Sequence, residues 1–355
     1  MSAYAIYRLP HADRATLIQQ TEGEPSEYQL CSELNGKRGF VVAPFQVTVQ
    51  QPILLIRPDV VNFLEVRGEG QEVRDMSTAE YSLTSHLSPL TSSYAIDFAN
   101  YHAQLETGLF RKIVLARCVD EASEEPIDPM ELFRRACMLY PRMFISLVST
   151  SKSGVWLTAT PEILLEGKGS DWRTIALAGT MKLAGDQLIG EGETVCWPTK
   201  DIQEQRIVTT YIAECLEQFT GDFHEEGPRT VRAANLVHLR SDFTFSLQDC
   251  QHLGDLLHVL HPTPAVCGLP KRETFNFIIQ NEHSPRRYYS GFMGMLDPVG
   301  DTHLYVSLRC MNIEGNHYHL YAGGGLLKDS ILEQEWQETE AKLETMRRCI
   351  AIKKM

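Results

Sequence analysis

The sequence predicts an α+β fold, in which runs of strands and separate helices occupy different stretches of the chain. Three segments near the C-terminus, 290–297, 302–310 and 317–325, are predicted to be consecutive antiparallel strands, because short apolar runs alternate with turn residues. The predicted helices interrupt such strand runs without a regular strand–helix–strand alternation, which argues against a parallel βαβ arrangement. With 355 residues, 43% of them hydrophobic, the chain is long enough to bury a substantial core.

The composition is that of an acidic globular protein, because charged residues make up 22% of the chain and the formal net charge is −13. This charge argues against nucleic acid or an anionic membrane as a partner, although a local basic pocket still allows an acidic small substrate. Nine cysteines are scattered without a CxxC pair, which favours reduced thiols in a reducing compartment. We recognise neither a signal peptide nor an apolar run of the ~20 residues that a membrane helix needs, so we expect a cytoplasmic protein.

The first third of the chain contains predicted strands and one predicted helix but no recognisable catalytic pattern. Segments 40–49 and 52–58 are predicted strands, and Asn35 followed by Gly36 is typical of a hairpin turn. Residues 77–110 are predicted to be helical, because their apolar side chains recur at spacings of three and four.

The following segment, 110–117, is a predicted strand with a lysine on one of its faces. Lys112 alternates with Val114 and Ala116, and a lysine on a half-buried strand face is unusual. The same pattern arises when that face lies at the edge of a sheet in water, so the residues alone leave both interpretations open.

The middle of the chain combines predicted strands with two predicted helices. The second helix, 200–219, follows Thr199, a good N-cap residue, and its apolar face extends back to Glu204. A carboxylate on an apolar face is costly unless it is paired or metal-bound, but near the start of a helix it is also readily solvated. A loop rich in glycine and glutamate, 184–198, precedes this helix. The first helix is predicted at 130–141, and the strands at 143–150, 155–160, 162–167 and 172–182.

A glycine run and an amphipathic helix end the chain. Gly323–Gly325 are predicted to form a turn after a strand, and apolar residues then recur at helical spacing up to residue 350. Glu335, Glu338 and Lys342 form a charged stripe beside the apolar one. This stripe is either a solvated edge with an ion pair, or a surface that faces an anion or a metal, since glycines let the backbone approach a ligand closely.

Nine short segments carry a recognisable pattern: KIVLAR (112–117), TATPEILL (158–165), LAGT (177–180), KDIQEQ (200–205), HPTPAVCGLP (261–270), YSGFMG (289–294), SLRC (307–310), YAGGG (321–325) and EWQETEAKL (335–343). In order and rough spacing they resemble the chorismate-utilising enzymes over about residues 100–350. This resemblance implies one large domain of antiparallel sheets packed as a sandwich with surrounding helices. Residues 1–100 would form the N-terminal part of this sandwich, and residues 101–352 the chorismate-binding catalytic region.

Three positions resemble one branch of the family, the isochorismate synthases. Ala265 stands where the nitrogen-adding members and salicylate synthase usually have threonine, and Ala178 stands where aminodeoxychorismate synthases have a lysine. Lys112 is typical of the members that use water as nucleophile. The resemblance implies an Mg²⁺-dependent isomerase that adds water to C2 of chorismate while the C4 hydroxyl leaves, for menaquinone or siderophore synthesis.

Three alternatives to this activity remain at this stage. A salicylate synthase would add pyruvate elimination, and an anthranilate-type enzyme would need an amidotransferase subunit, which the resemblance does not lead us to expect. A non-catalytic chorismate- or metal-binding protein would be expected to lack Lys112 or Glu162, and both are present.

The resemblance also implies a role for each residue at a matching position. Lys112 would be the base that activates water, and Glu162 would be the acid that protonates the leaving hydroxyl. The metal would be bound by Glu204 and Glu338, with Glu335 outside the direct ligands, holding water. The predicted substrate-binding residues are Gly179, Thr180, Ala265, Arg309, Tyr321, Gly323 and Lys342.

The sequence departs from the family pattern at a few positions. Gly324 stands where alanine is common, and Ser307 and Cys310 flank Arg309 where other small residues are usual. His238 lies in a segment that matches only loosely, so we assign it no catalytic role. For His261, before the Pro-Thr-Pro turn, we expect a structural hydrogen bond.

Overall fold

Two antiparallel sheets of nine described strands each lie face to face in the computed structural model, which describes residues 3–66, 93–182, 196–233 and 236–351. In spatial order the first sheet consists of β14 (Gly268–Leu269), β7 (Lys112–Ala122), β18 (His317–Leu326), β17 (Cys310–Glu314), β9 (Gly154–Thr160), β8 (Phe144–Thr150), β1 (Tyr4–Arg8), β2 (Arg14–Gln19) and β6 (Val60–Glu65). The second sheet consists of β12 (Phe223–Ala233), β13 (Leu236–Ser246), β11 (Asp171–Lys182), β10 (Ile163–Lys168), β16 (Thr302–Val306), β15 (Phe292–Leu296), β4 (Gly39–Ala43), β5 (Ile53–Ile56) and β3 (Ser26–Tyr28).

Six described helices surround the two sheets. The helices are α1 (Ser93–Glu106), α2 (Pro129–Leu139), α3 (Thr199–Leu216), α4 (Leu253–Leu260), α5 (Lys271–Asn281) and α6 (Leu332–Ala351). Helices α2 and α6 pack on the first sheet, whereas α3 packs on β11 of the second sheet and contacts α4. Helices α1 and α5 pack beside β7 and β14. In the described part of the chain, no helix is both long enough and apolar enough to cross a membrane.

Separate apolar clusters hold these layers together. Aromatic residues fill the space between the sheets, where the rings of Phe144 and Tyr305 stack with their centroids 4.3 Å apart. The apolar face of α3 and α4 covers the outside of the second sheet, and α2 and α6 cover the outside of the first. Strands of residues 4–65 lie in both sheets, so the N-terminal part of the chain is built into the sandwich.

The chain crosses from one sheet to the other where the sequence predicted a continuous strand, 302–310. Strand β16 ends at Val306 in the second sheet, and β17 starts at Cys310 in the first. The crossing passes through Arg309, whose φ of 45° lies in the left-handed region that a strand cannot contain. The single predicted strand is therefore wrong, and the crossing places Arg309 between the two sheets.

Two predictions based on glycine are wrong, the first only in part. Asn35 and Gly36 do form a turn, in which the N–H of Lys37 donates to the carbonyl oxygen of Leu34 at 3.0 Å, but this turn follows a short 3₁₀ helix (Cys31–Leu34) and closes no hairpin. Gly323–Gly325 lie inside β18, paired with β7, and form no turn. At Gly323–Gly325, glycine was taken as a turn former where close packing requires residues without a side chain.

Other differences concern element boundaries and the described range. Pro198 precedes α3 and Thr199 is its first residue, without a capping hydrogen bond, so the predicted N-cap is one residue off. The hairpin of β12 and β13 and helix α5 were not predicted. Parts of the predicted helix 77–110 and of the predicted loop 184–198 lie outside the described residues.

Candidate active site

A cavity opens where the ends of β7, β11 and β18 meet α3 and α6. Polar residues from both sheets and both helices line it, among them Glu162, Glu204, His238, Arg309, Glu338 and Lys342. Loops and strand ends of two separate layers therefore build a single pocket, which a sequence pattern within one element cannot show.

Lys112 is completely buried at the start of β7. Strand alternation places Lys112, Val114 and Ala116 on one face, and all three are buried, so this face lies in the interior and not at a solvated edge. Nζ of Lys112 lies 2.9 Å from Oε1 of Glu204 on α3. A buried amine needs such a partner, because an unpaired charge in the interior is costly.

Glu162 lies between β9 of the first sheet and β10 of the second. Its side chain is buried, and burial raises the pKa of its carboxyl to about 8, although the charges of Lys112, Lys342 and Arg309 act in the opposite direction. At neutral pH the carboxyl is therefore protonated. A protonated carboxyl beside three cationic side chains is able to give up its proton and to remain stabilised afterwards.

Acidic residues of α3 and α6 converge on the same end of the cavity. Glu335 and Glu338 lie one turn apart on α6, and burial together with the charge of Glu338 raises the pKa of Glu335 to about 7. Burial and the charges of Glu204 and Glu338 also raise the pKa of Asp201 to about 6. Oε2 of Glu335 is buried without a hydrogen-bond partner among the described residues. These carboxylates repel one another, so this end of the cavity favours additional positive charge.

Lysines now supply part of that charge. Burial by itself would raise the pKa of Glu204, but Lys112 and Lys200 outweigh it and hold this pKa below its ordinary value. Nζ of Lys342 lies 2.6 Å from Oε1 of Glu338, and Lys200 forms an ion pair with Glu335. Glu204, Glu335 and Glu338 are each turned towards an amine. Within the described part of the chain, no three of these acidic side chains have oxygens that all lie within 4.8 Å of one another.

The glycines of β18 leave the space that these side chains occupy. A Cβ added at Gly325 would clash with Oε1 of Glu204 and would lie 2.8 Å from Cε of Lys112. On the other face of the strand, a Cβ at Gly324 would lie 3.0 Å from Oε2 of Glu335. Glycine is required here by close approach between the strand and the carboxylates, and not by a turn.

A basic pair lies on the opposite side of the cavity. Arg309 is buried, its Nη1 has no hydrogen-bond partner among the described residues, and its Nη2 lies 2.5 Å from Nε2 of His238. Burial and the charge of Arg309 lower the pKa of His238 well below its ordinary value, so the imidazole is neutral. Nδ1–H then donates to the carbonyl oxygen of Gly179 at 3.0 Å, and Nε2 accepts from Arg309.

Comparison with known proteins identifies the family. Residues 59–351 match the family model described as "Chorismate binding enzyme". The chain belongs to this family. The family predicted from nine short segments is therefore confirmed.

The chorismate-binding relatives include several isochorismate synthases. EntC of Escherichia coli (strain K12) is 30% identical over 66% of this chain, and the match covers 61% of EntC. DhbC of Bacillus subtilis (strain 168) is 29% identical over 97% of this chain and 89% of DhbC. MenF of Escherichia coli (strain K12) is 31% identical over 68% of this chain, and only 56% of MenF is covered. The matches to EntC and MenF thus span about six-tenths of those relatives.

Solved structures of the family share the fold. A crystal structure of DhbC from Bacillus anthracis has a TM-score of 0.81 at 24% identity and covers 99% of this chain and 96% of that chain. MenF from Escherichia coli has a TM-score of 0.78 at 22% identity and covers 99% of this chain and 89% of that chain. These likenesses confirm the predicted α+β sandwich.

Most residues singled out by the chorismate-binding pattern line the cavity, but Lys112 and Glu335 do not. Tyr321 does not line it either. Its ring packs between the sheets and stacks on Tyr289, with centroids 5.6 Å apart. Tyr289, which we did not predict, lines the cavity instead. Gly179, Thr180, Ala265, Arg309, Gly323 and Lys342 line the cavity as well.

The two histidines also differ from expectation. His238, to which we assigned no role, is buried in the cavity between Arg309 and Gly179, and its loose sequence match concealed it. His261 packs edge-on against Phe292, and neither of its ring nitrogens has a hydrogen-bond partner among the described residues. The hydrogen bonds of His261 among the described residues are made by its backbone, whose N–H donates to the carbonyl oxygen of Leu257 at 2.9 Å.

Proposed function

We propose that this protein is an isochorismate synthase, which isomerises chorismate to isochorismate. The observation that carries the proposal is a protonated glutamate in a cavity whose opposite ends are acidic and basic, together with a buried lysine paired to Glu204 of the cavity lining. The names of the relatives described above support the same activity. Water addition at C2 with departure of the C4 hydroxyl needs a base, an acid and counter-charges for two carboxylates, and the cavity lining together with Lys112 beside it supplies a candidate for each of these groups.

Lys112 takes the proton of the attacking water in this proposal. Lys112 is buried on β7, and its amine is the candidate for the base. Nζ of Lys112 lies 2.9 Å from Oε1 of Glu204. Glu204 is also a proposed metal ligand, so the proposed base and the proposed metal site share one carboxylate.

Glu162 gives its proton to the leaving hydroxyl. The carboxylate that remains is stabilised by the positive charges of Lys342 and Arg309. One proton passes from the attacking water to Lys112 and one from Glu162 to the departing hydroxyl, so a water molecule enters and a water molecule leaves. The net change in the substrate is an isomerisation, and the proton gained by Lys112 returns to Glu162 through solvent before the next turnover.

Mg²⁺ is the proposed cofactor, with Glu204 and Glu338 as its ligands and Glu335 holding bound water. Hard carboxylate oxygens from two helices are the ligands that Mg²⁺ prefers. The fit rests on the mutual repulsion of these carboxylates, the unpartnered Oε2 of Glu335 and the space left at Gly324. When bound, the ion supplies positive charge to a carboxylate of chorismate.

Arg309 and Lys342 are the proposed partners of the substrate carboxylates, and His238 orients Arg309. Nη1 of Arg309 has no partner among the described residues, so its bidentate fork is available to an anion. His238 fixes the guanidinium through Nε2 and is itself fixed by Gly179, whose amide donates to Oε2 of Glu204 at 3.3 Å. A single chain of hydrogen bonds thus links the anion-binding arginine to a proposed metal ligand.

Replacing Glu338 with glutamine is expected to raise the Mg²⁺ concentration required for half-maximal activity by at least tenfold, because a charged oxygen ligand is lost. Activity and intrinsic fluorescence, followed during Mg²⁺ titration, measure the change. Glu333→Gln is the matched control, since Glu333 is exposed on the same helix. An unchanged Mg²⁺ titration in Glu338→Gln would remove this residue from the metal site.

Replacing His238 with alanine is expected to raise KM for chorismate about tenfold and to affect kcat less, because Arg309 loses its acceptor while Lys112 and Glu162 stay in place. His238→Gln retains a polar acceptor and is expected to recover part of the affinity. Steady-state kinetics of both variants separate KM from kcat. If both variants lost thermal stability at unchanged KM, the role of His238 would be structural.

Product identification tests the proposed function. Purified protein incubated with chorismate and Mg²⁺ is expected to yield isochorismate, separated by chromatography. Salicylate as the stable product would indicate a salicylate synthase, and anthranilate formed with added ammonia would indicate an anthranilate-type enzyme. Chorismate left unchanged with Mg²⁺, with or without ammonia, would favour a non-catalytic binding protein.

The proposed product would supply menaquinone or siderophore synthesis. Similar proteins are named for both pathways. A relative from Vibrio cholerae, 25% identical to this chain, is described as a vibriobactin-specific isochorismate synthase, and the MenF structure is described as menaquinone-specific. We propose no amidotransferase subunit, because water is the nucleophile in this reaction.

A further inference from the structure

A second group of potential metal ligands lies on β7 and β18, away from the residues that line the active cavity. Cys118 and Asp120 are two residues apart on β7, and Asp120 pairs directly with His319 of β18. Strand alternation therefore places all three side chains on one face of the sheet. One ligand atom from each lies within 4.8 Å of the other two.

The position of the His319 ring supports a ligand role. Nδ1 lies 2.5 Å from Oδ1 of Asp120, and Nε2 lies 3.6 Å from Oε2 of Glu314 on the neighbouring strand β17. A histidine that binds a metal through one nitrogen commonly directs its other nitrogen to a carboxylate, which fixes the ring and its tautomer. When Nδ1 of His319 binds the metal, the carboxylate of Glu314 is the group towards which Nε2 is directed.

We infer that Cys118, Asp120 and His319 bind a divalent transition metal of the zinc type. Thiolate, imidazole and carboxylate together are ligands that Zn²⁺ accepts, whereas Mg²⁺ is bound by oxygen. Three protein ligands leave a fourth position for water. Asp120 is 76% exposed, so its carboxylate has room to move outward and admit an ion between itself and the imidazole.

The ion would connect the two strands that carry the proposed active site. Strand β7 leads back from Cys118 to Lys112, and β18 leads on from His319 to Gly323–Gly325. A ligand that binds only the folded state stabilises it, so we expect Zn²⁺ to raise the unfolding temperature. The inference concerns stability and metal content and is independent of the proposed isomerase activity.

Cobalt titration tests the inference with the full chain, in excess Mg²⁺ to occupy the acidic site. Wild type is expected to develop a near-ultraviolet thiolate-to-cobalt charge-transfer band that saturates at one equivalent, and Zn²⁺ should abolish the band by displacement. Cobalt bound by the carboxylates of α3 and α6 gives no such band, because no thiolate takes part. The spectrum therefore distinguishes the two metal sites.

Variants assign the band to its ligands. Cys118→Ser is expected to remove it, and His319→Gln should weaken Co²⁺ binding more than tenfold and eliminate the rise in unfolding temperature with Zn²⁺. Cys250→Ser is the matched control, since Cys250 is another partly buried thiol and should leave the band intact. Absence of the band in wild type, or a band and a Zn²⁺ effect that persist in His319→Gln, would overturn the inference. His319 is partly exposed, so this variant is expected to fold even if Cys118→Ser does not.

Discussion

Replacing Glu162 with glutamine is expected to lower kcat by about 10²–10⁴-fold, the usual contribution of a general acid. Glutamine has nearly the same shape as a protonated glutamate and is also neutral, but it has no acidic proton for the leaving hydroxyl. The variant is therefore expected to adopt the wild-type fold at pH 7. Chromatographic rates and thermal unfolding, measured on the same preparation, separate the two effects.

The pH dependence gives an independent measure of the same group. Glu162 keeps its proton up to a pKa of about 8, so kcat/KM of wild type should fall as the pH rises above this value. An unfolded glutamate releases its proton near pH 4.5, so the folded state binds one more proton between pH 4.5 and 8. Stability contributed by Glu162 consequently decreases as the pH rises through this window and levels off above it.

Glu162→Gln eliminates that loss of stability. Its unfolding temperature is expected to match that of wild type near pH 5 and to exceed it at pH 9. At pH 9 the wild-type protein must either bury the charged carboxylate of Glu162 or keep its proton, which costs about 1.4 kcal/mol per pKa unit. Retained turnover in Glu162→Gln, or a wild-type kcat/KM that is level from pH 7 to 10, would contradict the acid role.

Replacing Lys112 with methionine is expected to reduce kcat by a similar factor of about 10²–10⁴, because the base is lost while the aliphatic stem is kept. Unlike Glu162→Gln, this change should also destabilise the protein in the absence of Mg²⁺. It leaves Glu204 buried without its amine, and breaking a buried pair costs about 3–5 kcal/mol. Turnover and denaturant unfolding with and without Mg²⁺ measure both effects.

A double variant separates stability from catalysis at this position. Lys112→Met combined with Glu204→Gln removes the uncompensated charge, so the unfolding free energy should recover while the activity stays absent. Mg²⁺ should likewise restore stability to the single variant, because an ion at Glu204 replaces the charge of the amine. Substantial activity in Lys112→Met would exclude this lysine as the base.

Local patterns drew attention to some candidate site residues, but their roles came from the family resemblance. Strand alternation singled out Lys112 and helical spacing singled out the acidic stripe of α6, and each pattern alone also fitted a solvated surface. Tyr321 was misplaced because it shares a motif with Gly323, although a ring of this size packs between the sheets while glycine borders the cavity.

The residues that were missed depend on contacts between distant parts of the chain. His238 became significant only when β13 was placed against the crossing that contains Arg309, 71 residues away in sequence. The break between β16 and β17 has a similar origin, because the tertiary arrangement of the two sheets outweighs the strand propensity of residues 302–310. No spacing rule within one segment contains this information.

The proposed magnesium ligands belong to opposite layers of the sandwich. Glu204 is on α3, which packs on the second sheet, and Glu338 is on α6, which packs on the first. An ion held by both glutamates would link the two layers, so removing the ion should let the layers separate more readily in denaturant. Resistance to unfolding would then report how much magnesium is bound, even in a variant that has no turnover.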